Sequence, residues 1–217
     1  MRQFDLSETL LMLPAILFGF SIHEFWHAYT ATLFGDDTPA KQGRLTLNPL
    51  VHIDLIGFLL LIYAGFGWAK PVQVNPQAFR NPKRDDLLVS IAGPLSNLIT
   101  AILFAVIIKG LFLFADELFK IPDYGGYILK ILVYFVWINL VLFVFNLIPL
   151  PPLDGSHILL GLLPERFQSF KEYLLRFGGI ALLALILLGS WTNRELLPIG
   201  TITQAIYQSL FRLLGLY

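Results

Sequence analysis

The sequence predicts an all-α polytopic membrane protein, a bundle of about 4–6 transmembrane or re-entrant helices with a small β-hairpin or edge strand near the functional site. Three observations carry that reading. Hydrophobic residues make up 56% of the 217 and charged residues only 14%, where a soluble domain carries roughly 25% charge. Mean hydropathy is +0.71. The apolar residues also fall in long runs separated by Gly, Pro and polar breaks, as helices that cross a bilayer do. One membrane-embedded domain over 1–217 is expected, with its core at about 9–160. Net charge is zero, which argues against nucleic acid as a partner. The chain has no cysteine, so disulfides and thiolate metal sites are excluded and the redox compartment is left open.

Thr9 to Phe34 reads as the first helix. Leu10 to Phe20 is almost purely apolar, and Gly35-Asp36-Asp37-Thr38-Pro39 ends the run with turn and breaker residues. No small-residue cleavage site follows, so this is a retained helix and not a signal peptide. Lys41 to Asn48 is polar, holds Arg44, and alternates in a way a strand could use. Ile53 to Phe66 is apolar but only about 14 residues long, below the roughly 20 needed to cross, which favours a re-entrant or interfacial segment. Lys70 to Pro76 reads as extended. Leu87 to Phe114 is a clear span with Gly93-Pro94 near its start, and Gly126 to Ile148 is the next. Pro149, Pro151 and Pro152 break the latter, and Leu153-Asp154-Gly155 follows at once. Glu165 to Arg176 is charged and amphipathic and continues through Phe177 to Leu188 into a further span. Ile199 to Leu214 places Gln204, Gln208 and Arg212 at helical spacing, as an interfacial or short tilted helix would.

Lysines and arginines set the expected orientation. Lys41, Arg44, Lys70, Arg80, Lys83 and Arg84 flank the short apolar segment on both sides, so both flanks are cytoplasmic. Arg166, Lys171 and Arg176 join them. The loop from Asp116 to Tyr124 has one lysine against three acids and lies outside, as does the N-terminus.

The motif that carries chemistry is Ser21-Ile22-His23-Glu24-Phe25-Trp26-His27. Histidines four apart share a helical face, about 6 Å between Cβ atoms, which suits two ligands of one metal. Glu24, between them, can reach a metal-bound water. This is the His-Glu-x-x-His pattern of zinc hydrolases. His23 lies 11 residues before Phe34, about 16 Å of helix, so the metal would sit within the bilayer, nearer its inner face. Two histidines packed inside a bundle are the bland alternative; ligand spacing, an intervening glutamate and a distant Asp-Gly break weigh against it.

A catalytic zinc takes three protein ligands and a water. Asp54, His52, Asp154 and His157 are the candidates for the third. Asp154 leads, because an ionisable group just past an apolar helix and a proline break is costly unless used. The prolines stop regular helix and Gly155 lets the backbone approach closely. A helix-capping aspartate is its bland reading. His157 is the runner-up. Zinc would lower the pKa of its water towards about 7, Glu24 would act as general base and then acid, and a hydrogen-bond donor would share the oxyanion. Asn146, eight residues before Asp154, could be that donor, could hold the substrate backbone, or could make an interhelical hydrogen bond. Asn97 has the same range of roles.

Three motifs resemble the site-2 protease family of intramembrane zinc metalloproteases, peptidase family M50. They are His23-Glu24-Phe25-Trp26-His27, Ala92-Gly93-Pro94-Leu95-Ser96-Asn97, and Asn146-Leu147-Ile148-Pro149-Leu150-Pro151-Pro152-Leu153-Asp154-Gly155. The resemblance implies one zinc held by His23, His27 and Asp154, with Glu24 catalytic. It implies a membrane-spanning peptide as substrate and Asn146 among the residues that hold it. Gly65-Phe66-Gly67 looks like the family's Gly-x-Gly strand, whose edge takes an extended substrate by strand addition. With no inserted PDZ domain and no nucleotide-sensing pair, the chain resembles a minimal form. The expectation is an intramembrane zinc endopeptidase, multi-pass in the cell membrane, with its site towards the cytoplasmic side. The competing readings are a metal-binding transporter or channel, which needs polar residues spread along several spans, and a catalytically inactive peptide-binding relative, which would have lost Glu24 or a ligand.

Overall fold

The computed structural model describes residues 6–64, 67–122, 124–192 and 194–216. Among them are eight α-helices: α1 (Leu6–Leu33), α2 (Thr38–Lys41), α3 (Leu55–Ala64), α4 (Pro82–Phe114), α5 (Gly125–Asn146), α6 (Asp154–Leu162), α7 (Gln168–Thr192) and α8 (Ile199–Leu213). Four stretches, Ser7–Leu33, Pro82–Phe114, Gly125–Asn146 and Glu165–Thr192, are long and apolar enough to cross a membrane. Helix α3, at 10 residues, is about 15 Å long and too short to do so.

Helices α1, α4 and α5 pack on one another, and α8 covers α5. The centre of that packing is Ala101, Ala105 and Ile108 of α4 with Val136 and Leu140 of α5 and Phe211 of α8. Ala101 and Ala105 are fully buried, and small residues four apart let membrane helices approach closely. Large apolar side chains such as Leu10, Leu103, Phe114, Ile180 and Leu187 are exposed instead, which is costly in water and natural against lipid. The run expected to continue from Glu165 through Leu188 is a 3-10 turn (Glu165–Phe167) leading directly into α7. It meets the loop before α6 where Gly178 faces Pro151, leaving 2.5 Å for a Cβ.

The expected β-hairpin is not formed. No strand occurs among the described residues, and the one β-type contact described is an isolated antiparallel bridge between Ile53 and Ala69. Residues 42–48 turn on themselves, with Arg44 N–H bonded to Pro39 O at 2.9 Å and Thr46 N–H to Arg44 O at 2.9 Å. The stretch 70–75 is extended, half-buried Val72 and Val74 alternating with exposed neighbours. Past Lys70, whose N–H donates to His52 O at 2.8 Å beside that bridge, its paired donors go to side chains. Pro71 has none, Val72 N–H goes to Glu24, and Asn75 N–H goes to Asp36 at 2.7 Å. Alternation alone does not make a sheet when side chains absorb the backbone donors.

Helix α3 and the non-helical residues 67–70 instead lie side by side as the two arms of a hairpin, closed at its base by the Ile53–Ala69 bridge. A Cβ on Gly57 would come 2.3 Å from Trp68 O, and one on Gly67 would come 2.0 Å from Gly57 O. The two arms therefore touch through backbone, which only glycine allows.

Candidate metal centre

His23 and His27 lie one turn apart on α1, both buried. Their Nε2 atoms are 3.0 Å apart. Asp154, the first residue of α6, brings Oδ2 to 3.1 Å from His23 Nε2 and 3.3 Å from His27 Nε2. A local reason for its placement is Gly155, where a Cβ would come 2.4 Å from Leu147 O and 2.5 Å from Ile148 O. The start of α6 is thus pressed against the chain leaving α5.

The remaining ring nitrogens show what the three atoms offer. His27 Nδ1 meets Val89 O at 2.8 Å, a pure acceptor, so Nδ1 carries the hydrogen. His23 Nδ1 meets Asn97 Oδ1 at 2.7 Å. The amide orientation of Asn97 follows from its other contacts, since its Nδ2 donates to Gly19 O at 3.0 Å and to Asn139 Oδ1 at 2.9 Å. As neutral imidazoles, with Nδ1–H turned outward, both rings present their Nε2 lone pairs to each other and to Asp154 Oδ2, which is buried and has no hydrogen-bond partner. Three acceptors converging without a donor repel one another unless a cation lies among them. Two imidazoles, a carboxylate and outer acceptors on the imidazole Nδ1–H groups are the donor set zinc takes. Among the described residues this is the group whose ligand atoms, all within 4.8 Å of one another, could hold a metal ion.

Helix α4 backs the pair closely. A Cβ on Gly93 would come 2.3 Å from His27 Nε2 and 2.8 Å from His23 Cε1. Pro94, next to it, has no N–H to give Ser90 O in the preceding turn. Glu24, also buried, accepts from Val72 N–H through Oε2 at 2.7 Å. A cleft of about 320 Å³, lined by Gln42, Arg44, Lys70, Pro71 and Gln73, opens beside that contact.

Other sequence-selected residues fall outside the triad. Asp54 Oδ1 accepts from Gly57 N–H at 2.8 Å and caps α3. His52 is buried, and its Nε2–H donates to Thr46 O at 2.8 Å; burial pushes its pKa down, so it stays neutral. His157 faces Asp86 at 3.9 Å on an exposed face, and that neighbouring carboxylate raises its pKa. Asn97, selected for substrate, is fully buried with its amide held by His23, Gly19 and Asn139. Asn146 ends α5, its Nδ2 donating to Leu142 O at 3.0 Å. Gly67 packs on Gly57, and Gly65 lies outside the described residues. Sequence reasoning missed Asn139, Asp36 and the burial of Arg44. For Asn139, an amide in an otherwise apolar span, the signal was present.

The family model for Peptidase family M50 matches residues 119–186, which include Asp154 but not the histidine pair. The chain is 40% identical over 199 residues to the "Putative zinc metalloprotease YwhC" of Bacillus subtilis (strain 168), covering 91% of this chain and 90% of that one. The chain belongs to peptidase family M50, the site-2 protease family. It is also 32% identical over 184 residues to the "Putative zinc metalloprotease Rip2" of Mycobacterium tuberculosis (strain H37Rv), covering 82% of this chain and 67% of that one. Against the "Zinc metalloprotease MJ0392" of Methanocaldococcus jannaschii it is 27% identical over 187 residues, spanning about half (49%) of that protein. No solved structure gives a significant match. The chain is thus a multi-pass membrane zinc metalloprotease, and zinc is its cofactor.

Proposed function

We propose that the chain is a single-domain intramembrane endopeptidase that cuts a peptide bond within or near a transmembrane segment of another protein. In this reading His23, His27 and Asp154 hold one zinc, and Glu24 is the catalytic base. The observation that carries it is the convergence of Asp154 Oδ2, at the start of the short helix α6, on His23 Nε2 and His27 Nε2 of α1, a helix long and apolar enough to cross a membrane. Zinc bound there supplies Lewis acidity, lowering the pKa of a bound water towards about 7 and polarising the scissile carbonyl. Glu24 takes the proton from the attacking water and returns it to the leaving amine as the C–N bond breaks. Val72 N–H keeps the Glu24 carboxylate aimed, leaving its second oxygen for that proton.

His23 lies 10 residues before the end of α1, about 15 Å along the helix. By the distribution of lysine and arginine that end is cytoplasmic, so water enters from the cytoplasm through the cleft beside Val72. A substrate helix must unwind locally to expose its main chain. The extended stretch 70–75, which no strand pairs among the described residues, offers a backbone beside Glu24 for it. Asn146, at the end of α5 and half-buried, is positioned to exchange its bond to Leu142 for one to the substrate backbone.

Glu24→Gln tests the reading. Cleavage of a membrane-protein reporter should fall by about 10²–10⁴-fold while zinc content stays at the wild-type level. A variant that cleaves normally would remove Glu24 from the mechanism.

A further inference from the structure

Arg44 is a charged side chain that the hydrolysis above leaves unused, yet it is 5% exposed. Among the described residues no carboxylate forms an ion pair with it. Its Nη1 donates to Val51 O and its Nη2 to Lys70 O. A guanidinium buried on neutral acceptors carries a desolvation cost, so its position calls for a reason. The two carbonyls supply one. They belong to the chain entering and the chain leaving the α3 hairpin, on either side of the Ile53–Ala69 bridge. Lys70 N–H also donates to His52 O at 2.8 Å, so the base is closed by a backbone bond and a two-armed side-chain clamp. Two residues past Lys70 comes Val72, whose N–H holds Glu24.

We propose that Arg44 is a positioning residue of the hydrolytic site: it locks the two ends of the α3 hairpin together so that Val72 N–H holds the Glu24 carboxylate in place. The proposal rests on the reading of Glu24 as the base. Arginine suits the task because its planar fork reaches two carbonyls at once in fixed geometry, which the single ammonium of lysine does not. Arg44 touches neither the three ligand atoms nor Asn97, so zinc binding should be indifferent to it.

The test is a double-mutant cycle on the zinc-loaded full chain in detergent, with a quenched-fluorescent reporter carrying one apolar transmembrane segment. Arg44→Gln loosens the clamp and Val72→Pro removes the N–H. Each should lower kcat by about 10–100-fold, with KM and zinc content unchanged. Together they should be no worse than the poorer single variant, because both act through one hydrogen bond. Losses that multiply, or an Arg44→Gln enzyme with normal kcat, overturn the proposal.

If Arg44→Gln fails to fold, a covalent clamp takes its place. With Lys70 N–H on His52 O, Ile53 and Ala69 form the close, non-hydrogen-bonded kind of pair, a geometry that suits a disulfide, and the chain has no other cysteine. Arg44→Gln carrying Ile53→Cys and Ala69→Cys should be folded and within about threefold of wild-type kcat when oxidised, dropping about tenfold or more on reduction. A folded, oxidised variant that stays slow contradicts the proposal. Glu24→Gln, run alongside, separates the two ideas. If it cleaves normally, the base assignment fails; if it is inactive while Arg44→Gln is unimpaired, only the role of Arg44 fails.

Discussion

The helix crossing around His23, His27 and Asp154 and the α3 hairpin beside Glu24 are held together in different ways. At the crossing, four helices meet without slack. Gly93 of α4 lies against both imidazoles, Gly155 presses α6 onto the end of α5, and Asn97 ties α1 to α4 and α5 through Gly19 and Asn139. In the hairpin, one β-bridge, the arms of Arg44 and the bond from Val72 to Glu24 carry the connection to the rest of the chain. The proposed metal ligands thus sit on a closely packed frame, and Glu24, the proposed base, is steadied by a segment held through a few hydrogen bonds. Zinc affinity and turnover should therefore come apart under mutation, the first following the crossing and the second the hairpin.

The largest effect is expected at the crossing. Gly93→Ala puts a Cβ 2.3 Å from His27 Nε2, and the rings cannot step aside because their Nδ1 atoms are fixed by Val89 O and Asn97. Zinc affinity should fall by about 100-fold or more, at the upper end of what outer-sphere disruption costs, and cleavage with it. Metal titration of the folded variant checks this, and wild-type affinity would show that the rings have room. Asn97→Leu comes next. It removes the acceptor for His23 Nδ1–H and frees the ring to take the other tautomer, so zinc affinity should drop about 10–100-fold. An unchanged affinity would mean that packing alone orients His23.

The hairpin should give the opposite pattern. Gly57→Ala drives a Cβ to 2.3 Å from Trp68 O and should part the two arms. The expected result is a kcat about tenfold lower with zinc content intact, measured by steady-state kinetics beside metal analysis. Loss of zinc there would break the distinction between the two regions. The smallest effect belongs to a site outside both. Thr203 in α8 is fully buried and its Oγ1 has no hydrogen-bond partner. Thr203→Val should leave cleavage unchanged and raise stability by about 1 kcal/mol, read from a thermal or denaturant melt.

Much of this was legible in the residues. The long apolar runs gave the four candidate spans, because helices in lipid must satisfy their own backbone and so need uninterrupted length. The spacing of His23 and His27 and the break at Asp154 gave the cluster, since helical periodicity and proline act locally. The partners of the backbone in the intervening loops could not be read. Residues 70–75 alternate as a strand does, but their donors go to Glu24 and Asp36 from α1 and the turn after it. Arg44 read as an ordinary cytoplasmic cation marking topology, and its burial depends on carbonyls 7 and 26 residues away. Asn97 stands out in the sequence as a polar residue in an apolar span, but its contact with His23 depends on how α1 and α4 cross, which no local pattern encodes.

The most direct test of the central claim is the zinc content of the purified full chain after mutation of the carboxylate that comes from far along the sequence. Wild type and Glu24→Gln should each carry about one zinc per chain, whereas Asp154→Asn, similar in shape but without the charge, should lose most of it. An Asp154→Asn protein that folds and keeps its full zinc would contradict the three-residue site.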